Sequence, residues 1–510
     1  MSTIDSIRTH TPTVAPRAGR REWLGLLLLM LPVLLISVDN TVLSFALPAI
    51  SLDLRPSSTT LLWIVDIYPL VLAGLLVAMG ALGDRVGRRR LLLLGATGFV
   101  VVSVAAAFAP TAELLIAARA VMGFFGAMIM PSTLSLLRSM FRDARQRTLA
   151  IAIWAGAFAA GSSLGPIVGG VVLQHFAWGA VFLIAVPFLL PLVALAGVLI
   201  PESKDPAPLG IDLVSVALSL LTLAPLVFAI KTLAHDGVGA PGLGALGLSL
   251  VAGALFLRRQ RRIDNPLLDL GLFRHAPFAG SVLANFLSVF SLVGFLFFVS
   301  QHLQLVLGLD PLAAGLLLLP GALLSVAAGL ASAYVVRRVP PRVVIVAGIL
   351  LSAGGFGLIV LLRDNLSAGV VMLAFGILSV GVGSAETISN DTIISSVPPE
   401  KAGAAAGVSE TAYELGAVLG TAVLGAILAA SYRAGVVLPD GLGRGQAAQA
   451  GETLGGALGV AGELPAAQAA ALTQSARAAF DSGVGVTSII AVVLMLIAAA
   501  AVQLSMRPRG

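Results

Sequence analysis

Apolar residues run through this chain in blocks of about twenty or more, separated by short polar segments, and fourteen such blocks can be counted. They fall near 24–48, 60–82, 91–110, 112–137, 148–173, 178–200, 211–231, 241–258, 277–305, 312–336, 342–363, 366–389, 402–431 and 483–506. A helix rising about 1.5 Å per residue needs about 20 apolar residues to cross a hydrocarbon layer of about 30 Å. The pattern therefore predicts an all-α polytopic membrane protein with fourteen spans. An even count places both ends on one face.

The polar segments set the orientation. With the N-terminus inside, inner segments hold 24 of the 31 Lys and Arg residues and outer segments hold 6, Lys231 among them, while Arg119 falls within a helix. That bias is the positive-inside signature of a bacterial plasma-membrane protein with both termini cytoplasmic. The layout reads as a cytoplasmic tail (1–22), six helices (23–200), two more (210–258), a basic cytoplasmic linker (259–275) and a last six (276–506). A long outer loop, 432–480, carries two stretches suited to short helices, 446–450 and 464–480.

Composition agrees: 58% of residues are hydrophobic and 11% charged, with mean hydropathy +1.01, against roughly 25% charged in soluble domains. There is no cysteine, and the five histidines are scattered, so no thiolate, cluster or metal-ligand spacing arises. No lysine sits in a phosphate-binding loop. If the chain moves solutes, the energy comes from a gradient or from a separate subunit, and no cofactor is expected. The net charge of +6 resides in short loops, which excludes a nucleic-acid face. A membrane-embedded enzyme would need a nucleophile or metal cluster that the chain lacks.

Charged residues inside the apolar blocks are the candidate chemistry. Asp39 lies about fifteen residues, roughly 22 Å, into the first helix, where an ionised carboxylate is expensive unless paired or hydrated and is functional by default. Arg119, a third of the way into the fourth helix, needs a carboxylate partner, and Asp39 is the first candidate. Asp66 follows Trp63 and precedes Tyr68 in the second helix, about 9 Å below the outer surface. In the second half, Glu386 lies in helix 12. Glu410 and Glu414 stand one turn apart on helix 13 beside Tyr413, roughly 12–18 Å deep. Two such carboxylates titrate as a coupled pair, and with an aromatic ring they suit a lipophilic cation. Helix 9 adds a phenylalanine stripe that includes Phe290. Gly161, Gly165 and Gly169 share one face of helix 5, with Pro166 and Gly170 beside them, giving a flat groove for a partner helix.

Several of these stretches resemble signatures of the major facilitator superfamily. Gly80-Ala-Leu-Gly-Asp84-Arg85-Val-Gly-Arg88-Arg-Arg90 is similar at every defined position to the family's loop between helices 2 and 3. Asp39-Asn-Thr-Val-Leu-Ser-Phe-Ala-Leu-Pro48 resembles the helix 1 signature of its fourteen-helix drug:proton antiporter branch, which includes the QacA-type quaternary-ammonium pumps. Trp63 and Tyr68 fit the same branch. Arg119-Ala-Val-Met-Gly123 resembles the helix 4 signature with Met122 in place of the usual Gln, and Gly161 through Gly170 resembles the antiporter motif. Trp178 through Pro187 matches a further signature only in part, with Gly179 and Ala185 in place of Arg and Asn.

The resemblance implies a major facilitator fold: two pseudo-symmetric six-helix bundles, with two extra helices between them. It implies a proton-coupled multidrug exporter of lipophilic cations such as ethidium, acriflavine or quaternary ammonium compounds, working by alternating access as a monomer. Asp39, Asp66, Glu386, Glu410 and Glu414 would take proton and substrate. Trp63, Tyr68, Tyr413 and Phe290 would line the pocket, Arg119 would modulate the proton carboxylate, and Asp84, Arg85 and Arg88 would latch the outward-open state. A narrower exporter of a lipid, siderophore or other metabolite is the alternative.

Overall fold

The computed structural model describes residues 17–204, 212–263, 266–397 and 402–506. Most of the expected N-terminal tail, Lys401 and the last four residues lie outside them. The described chain is helical. The helices are α1 (Arg20–Asp53), α2 (Ser58–Val86), α3 (Arg88–Ala107), α4 (Ala112–Met140), α5 (Ala144–His175), α6 (Ala180–Leu199), α7 (Leu213–Asp236) and α8 (Ala240–Gln260). After the linker come α9 (Ala276–Gln301), α10 (Pro311–Val335), α11 (Pro341–Leu361), α12 (Ala368–Ser395), α13 (402–435), α14 (Arg444–Glu452), α15 (Leu454–Ala461) and α16 (Ala466–Ser505). Among the described residues, thirteen of these are long and apolar enough to cross a membrane. The 32-residue α5 takes the fifth place in the first group of six.

Local chemistry sets the boundaries. In lipid every backbone amide must be satisfied within its own helix, so breaks fall where side chains replace the missing bonds. Ser57, Thr111, Asp143 and Asp310 each accept a bond from the backbone N–H three residues on, the N-cap arrangement. Gly87, at φ +119°, separates α2 from α3 in a conformation that side chains resist. One π-helical turn continues α9 at His302–Val306 and another interrupts α13 at Thr421–Gly425.

Two apolar cores result. One draws on residues 26–200; the other runs mainly over 284–506, joined by Phe45, Leu47, Leu61 and Leu62 from the first half. Large apolar side chains also point outward, among them Val101, Leu250, Leu330 and Leu361, as a lipid-facing surface requires. The helices α7 and α8 pair with each other, Ser249 Oγ donating to the Thr222 carbonyl at 2.7 Å, and α7 leans on α2, where Leu220 fills the space beside Gly74.

The hairpin of α7 and α8 is stapled at its open end. Arg259 donates two bonds to Asp212, Nε to Oδ2 at 2.8 Å and Nη2 to Oδ1 at 2.9 Å. That fork, with help from Ser215, holds the Asp212 carboxyl down to about 2. Its folded value lies below the unfolded value of about 3.9, so its contribution is fully present above pH about 4 and is lost as pH falls towards about 2. Thermal stability measured over that window should fall more in the native chain than in Asp212→Asn, which has already lost the contribution.

The long loop departs from the sequence reading. The stretch 464–480 is not a separate short helix: residues from 466 onward form the first part of the 40-residue α16, because no proline or strong breaker lies between Ala466 and Ser505. Residues 454–461, read from sequence as plain loop, form α15, whose Leu454, Ala457 and Val460 are buried. Lys231 is a further correction. Counted from sequence in an outer loop, it lies inside α7 and is buried.

Candidate transport site

Close contacts between the halves gather at the end of the bundle that carries Asp53. There Gln304 Nε2 donates to the Phe45 carbonyl at 3.2 Å, and Ser51 Oγ lies 3.4 Å from Thr453 Oγ1. Ser58 Oγ donates to Glu452 at 2.9 Å while Arg433 Nη1 donates to Ser58 Oγ at 2.7 Å. The antiporter-like motif of α5 sits in this seam. A Cβ on Gly161 would lie 2.8 Å from Ser37 Cβ, and one on Gly169 2.9 Å from Val42 Cγ2, so these glycines seat α1. A Cβ on Gly170 would lie 2.7 Å from the Leu312 Cα of α10, and the Pro166 carbonyl presses on Gly315 of the same helix. One face of α5 thus holds α1, and its neighbouring residues hold the other half.

Within the first half, Arg119 Nη1 donates to Asp39 Oδ2 at 2.8 Å, with both side chains buried. Arg119 Nε donates to the Ile64 carbonyl at 3.3 Å, and its guanidinium lies 4.6 Å from the Tyr68 ring centroid. Met122, also buried, offers no hydrogen bond. The arginine is therefore held by one carboxylate, one carbonyl and two rings, Phe182 lying 5.9 Å away as the second, an arrangement that keeps a buried charge compensated. Tyr68 is fully buried, edge-on to Phe99.

Across the seam, α13 presents Glu414, which is buried and makes no close hydrogen bond among the described residues, the Asn40 side chain being the group within hydrogen-bonding reach. Asn40 and Asp39 of α1 and Tyr68 of α2 face it from the first half, and Glu410 from its own helix. Glu410 in turn lies within electrostatic reach of Glu386 on α12. The four carboxylates form a path Glu386–Glu410–Glu414–Asp39 from the second half to the first, with Arg119 at its end. Tyr413 meets Phe158 of α5 edge-on at 5.4 Å, a ring contact between the halves beside this path. Phe290 belongs to the second core, its backbone pressed against Gly420 of α13. Phe298, Phe356 and Phe375 pack around Phe295 there, the first tilted, the second edge-on and the third stacked.

Asp66 stands apart from this path. Its Oδ2 lies 3.0 Å from Lys231 Nζ, and the lysine sits 3.9 Å from the Trp63 ring centroid.

The glycine–arginine loop lies at the opposite end. Arg88 Nε donates to Asp84 Oδ1 at 2.8 Å, and Arg88 Nη1 to Ser203 Oγ at 3.2 Å. The Arg89 amide donates to Glu202 Oε1 at 3.0 Å, while Arg85 is exposed. Glu202 lies close over Gly87, where a Cβ would meet its carboxyl carbon at 2.8 Å. Glu202 and Lys231 are thus the partners that sequence reasoning missed. A glutamate just past α6, on the side of the arginine cluster, was an available signal for the first.

Known proteins place this arrangement. The Major Facilitator Superfamily profile matches residues 29–421. The multidrug efflux pump LfrA of Mycolicibacterium smegmatis is 58% identical over 499 residues, 98% of each chain. The methyl viologen resistance protein SmvA of Salmonella typhimurium is 36% identical over 464 residues, 90% of this chain and 93% of that one. A bacterial homolog of the human lysosomal transporter Spinster, solved in an inward-facing and occupied conformation, superposes with a TM-score of 0.63 at 17% identity, covering 96% and 97% of the two chains, a likeness of fold. The chain belongs to the major facilitator superfamily and is a multi-span membrane transporter.

Proposed function

We propose that this transporter is a multidrug exporter that moves lipophilic cations out of a bacterial cell in exchange for protons. The observation that carries the reading is Glu414. A buried carboxyl with no cationic partner among the described residues, facing Asp39 and Asn40 of the other half, is neutral when it holds a proton and needs a cation when it does not. Proton and lipophilic cation therefore compete for the same charge, and one enters as the other leaves. Tyr413 and Phe158 supply ring faces at that place. The relatives' names, a multidrug efflux pump and a methyl viologen resistance protein, support a cationic cargo.

The excess of arginine at the Asp84 end supports placing that end, and both termini, in the cytoplasm. The present contacts then close the outer side, and Arg88 and Asp84 rest within their own half until the inner side closes. The energy source is the proton gradient, with no cofactor, and one copy of the chain suffices. In reconstituted vesicles with an imposed pH gradient, the native protein should transport ethidium, and Glu410→Gln/Glu414→Gln should lose gradient-driven transport. Undiminished transport in the double variant would remove the carboxylate mechanism. Absence of any cation transport by the native protein would favour a narrower metabolite exporter.

A further inference from the structure

The exchange path leaves one buried charge pair unused. Asp66 and Lys231 are 0% and 1% exposed at their side chains, with Nζ 3.0 Å from Oδ2. Among the described residues, neither the Asp66 oxygens nor Nζ has a further hydrogen-bond partner. Buried pairs retained for structure are braced by extra hydrogen bonds, because charge attraction alone seldom repays desolvation. This one is held by charge and by the Trp63 ring, 3.9 Å from the ammonium. A carboxylate beside a ring face is the chemistry that recognises an organic ammonium. The ammonium present belongs to the inserted helix α7, outside both six-helix halves. Around it, Leu70 of α2, Val227 of α7, and Val418 and Ala422 of α13 form one small apolar cluster. The pair therefore sits where the insertion covers the junction of the two halves, next to the π-helical turn of α13.

We propose that Asp66 and Trp63 form a cation-binding site, separate from the Asp39–Glu414 path, in which Lys231 is a tethered resident occupant. The site takes an alkylammonium when the lysine is withdrawn, its chain following the space of the lysine stem. The insertion is then a built-in competitor, and an ammonium substrate moving along the junction of α2 and α13 exchanges with it. That last step rests on the cation-export reading; the site itself does not.

The test is thermal unfolding of the purified full chain with n-butylammonium, which reproduces the lysine stem and its charge. Lys231→Ala should show a saturable rise in Tm with concentration. The native protein, Lys231→Ala/Asp66→Asn, and Lys231→Ala given n-butanol should show none. A folded Lys231→Ala without the rise, or the same rise in the Asp66→Asn background, overturns the proposal. If Lys231→Ala does not fold with or without the amine, Lys231→Met keeps the stem and is titrated with methylammonium, and no saturable rise there overturns it equally. Ethidium transport by the native protein is scored separately. Transport without the amine response sinks this site alone, and the response without transport leaves the site standing and sinks the export reading.

Discussion

Arg119→Ala should abolish gradient-driven cation transport and destabilise the first half by about 3–5 kcal/mol, the usual cost of stripping one partner from a buried ion pair. The arginine is almost wholly buried, and the described structure gives Asp39 no other cationic partner. Its loss leaves an ionised carboxylate in the membrane interior, which must take up a proton or draw in water. The double variant Asp39→Asn/Arg119→Met removes both charges, so most of the stability should return. Transport should not. Urea or thermal unfolding of the native protein, Asp39→Asn, Arg119→Met and the double variant measures the coupling directly, and a coupling below about 0.5 kcal/mol would mean the pair is ornamental.

The second large effect is expected at Gly165. A side chain there would press on the Thr41 hydroxyl, with its Cβ 2.9 Å from Thr41 Cβ and 3.1 Å from the Val38 carbonyl. Those two residues flank Asp39, so Gly165→Val pushes against the part of α1 that carries the carboxylate. Overpacking of this kind costs about 1–3 kcal/mol, and the displacement falls on the 2.8 Å contact between Asp39 and Arg119. Transport should therefore fall by a larger fraction than ethidium binding does. Gly156→Ala on the same helix is the control, since its Cβ would enter open space. Equal loss at both positions would mean that helix 5 glycines matter for folding in general and not for seating α1.

The sequence made the spans legible because lipid leaves the backbone little choice: apolar blocks of bilayer length become helices, and caps such as Ser57 and Asp310 mark their starts. Asp39 and Arg119 were legible for a related reason, since each is too costly at that depth to stand alone. Depth along a helix says nothing of the direction a side chain faces or of its partner far along the chain. Lys231, at the edge of an apolar block, therefore read as an outer-loop charge, while its partner Asp66 lies in α2, far back in the chain. Glu202 was missed because the loop signature draws attention to its own arginines. The buried α15 was missed because Gly-Gly and alanine in 454–461 resemble loop composition, although Leu454 and Val460 carry its contacts.

The uninterrupted α16 has a mechanical consequence. Forty residues make a rod of about 60 Å, against a hydrocarbon layer of about 30 Å, so about half of it stands clear of the lipid. Its outer end is tied to the turn at Asp440 through Gln468, and it is seated in the second core along its length, Leu472 and Phe480 being buried there as well as Met495 and Val502. A tilt of that half by about 10° would sweep the tip through about 10 Å for a rod of this length. The rod is a pointer that magnifies small rotations, and a dye pair on Gln468 and the end of α1 would read each stroke as a change in distance.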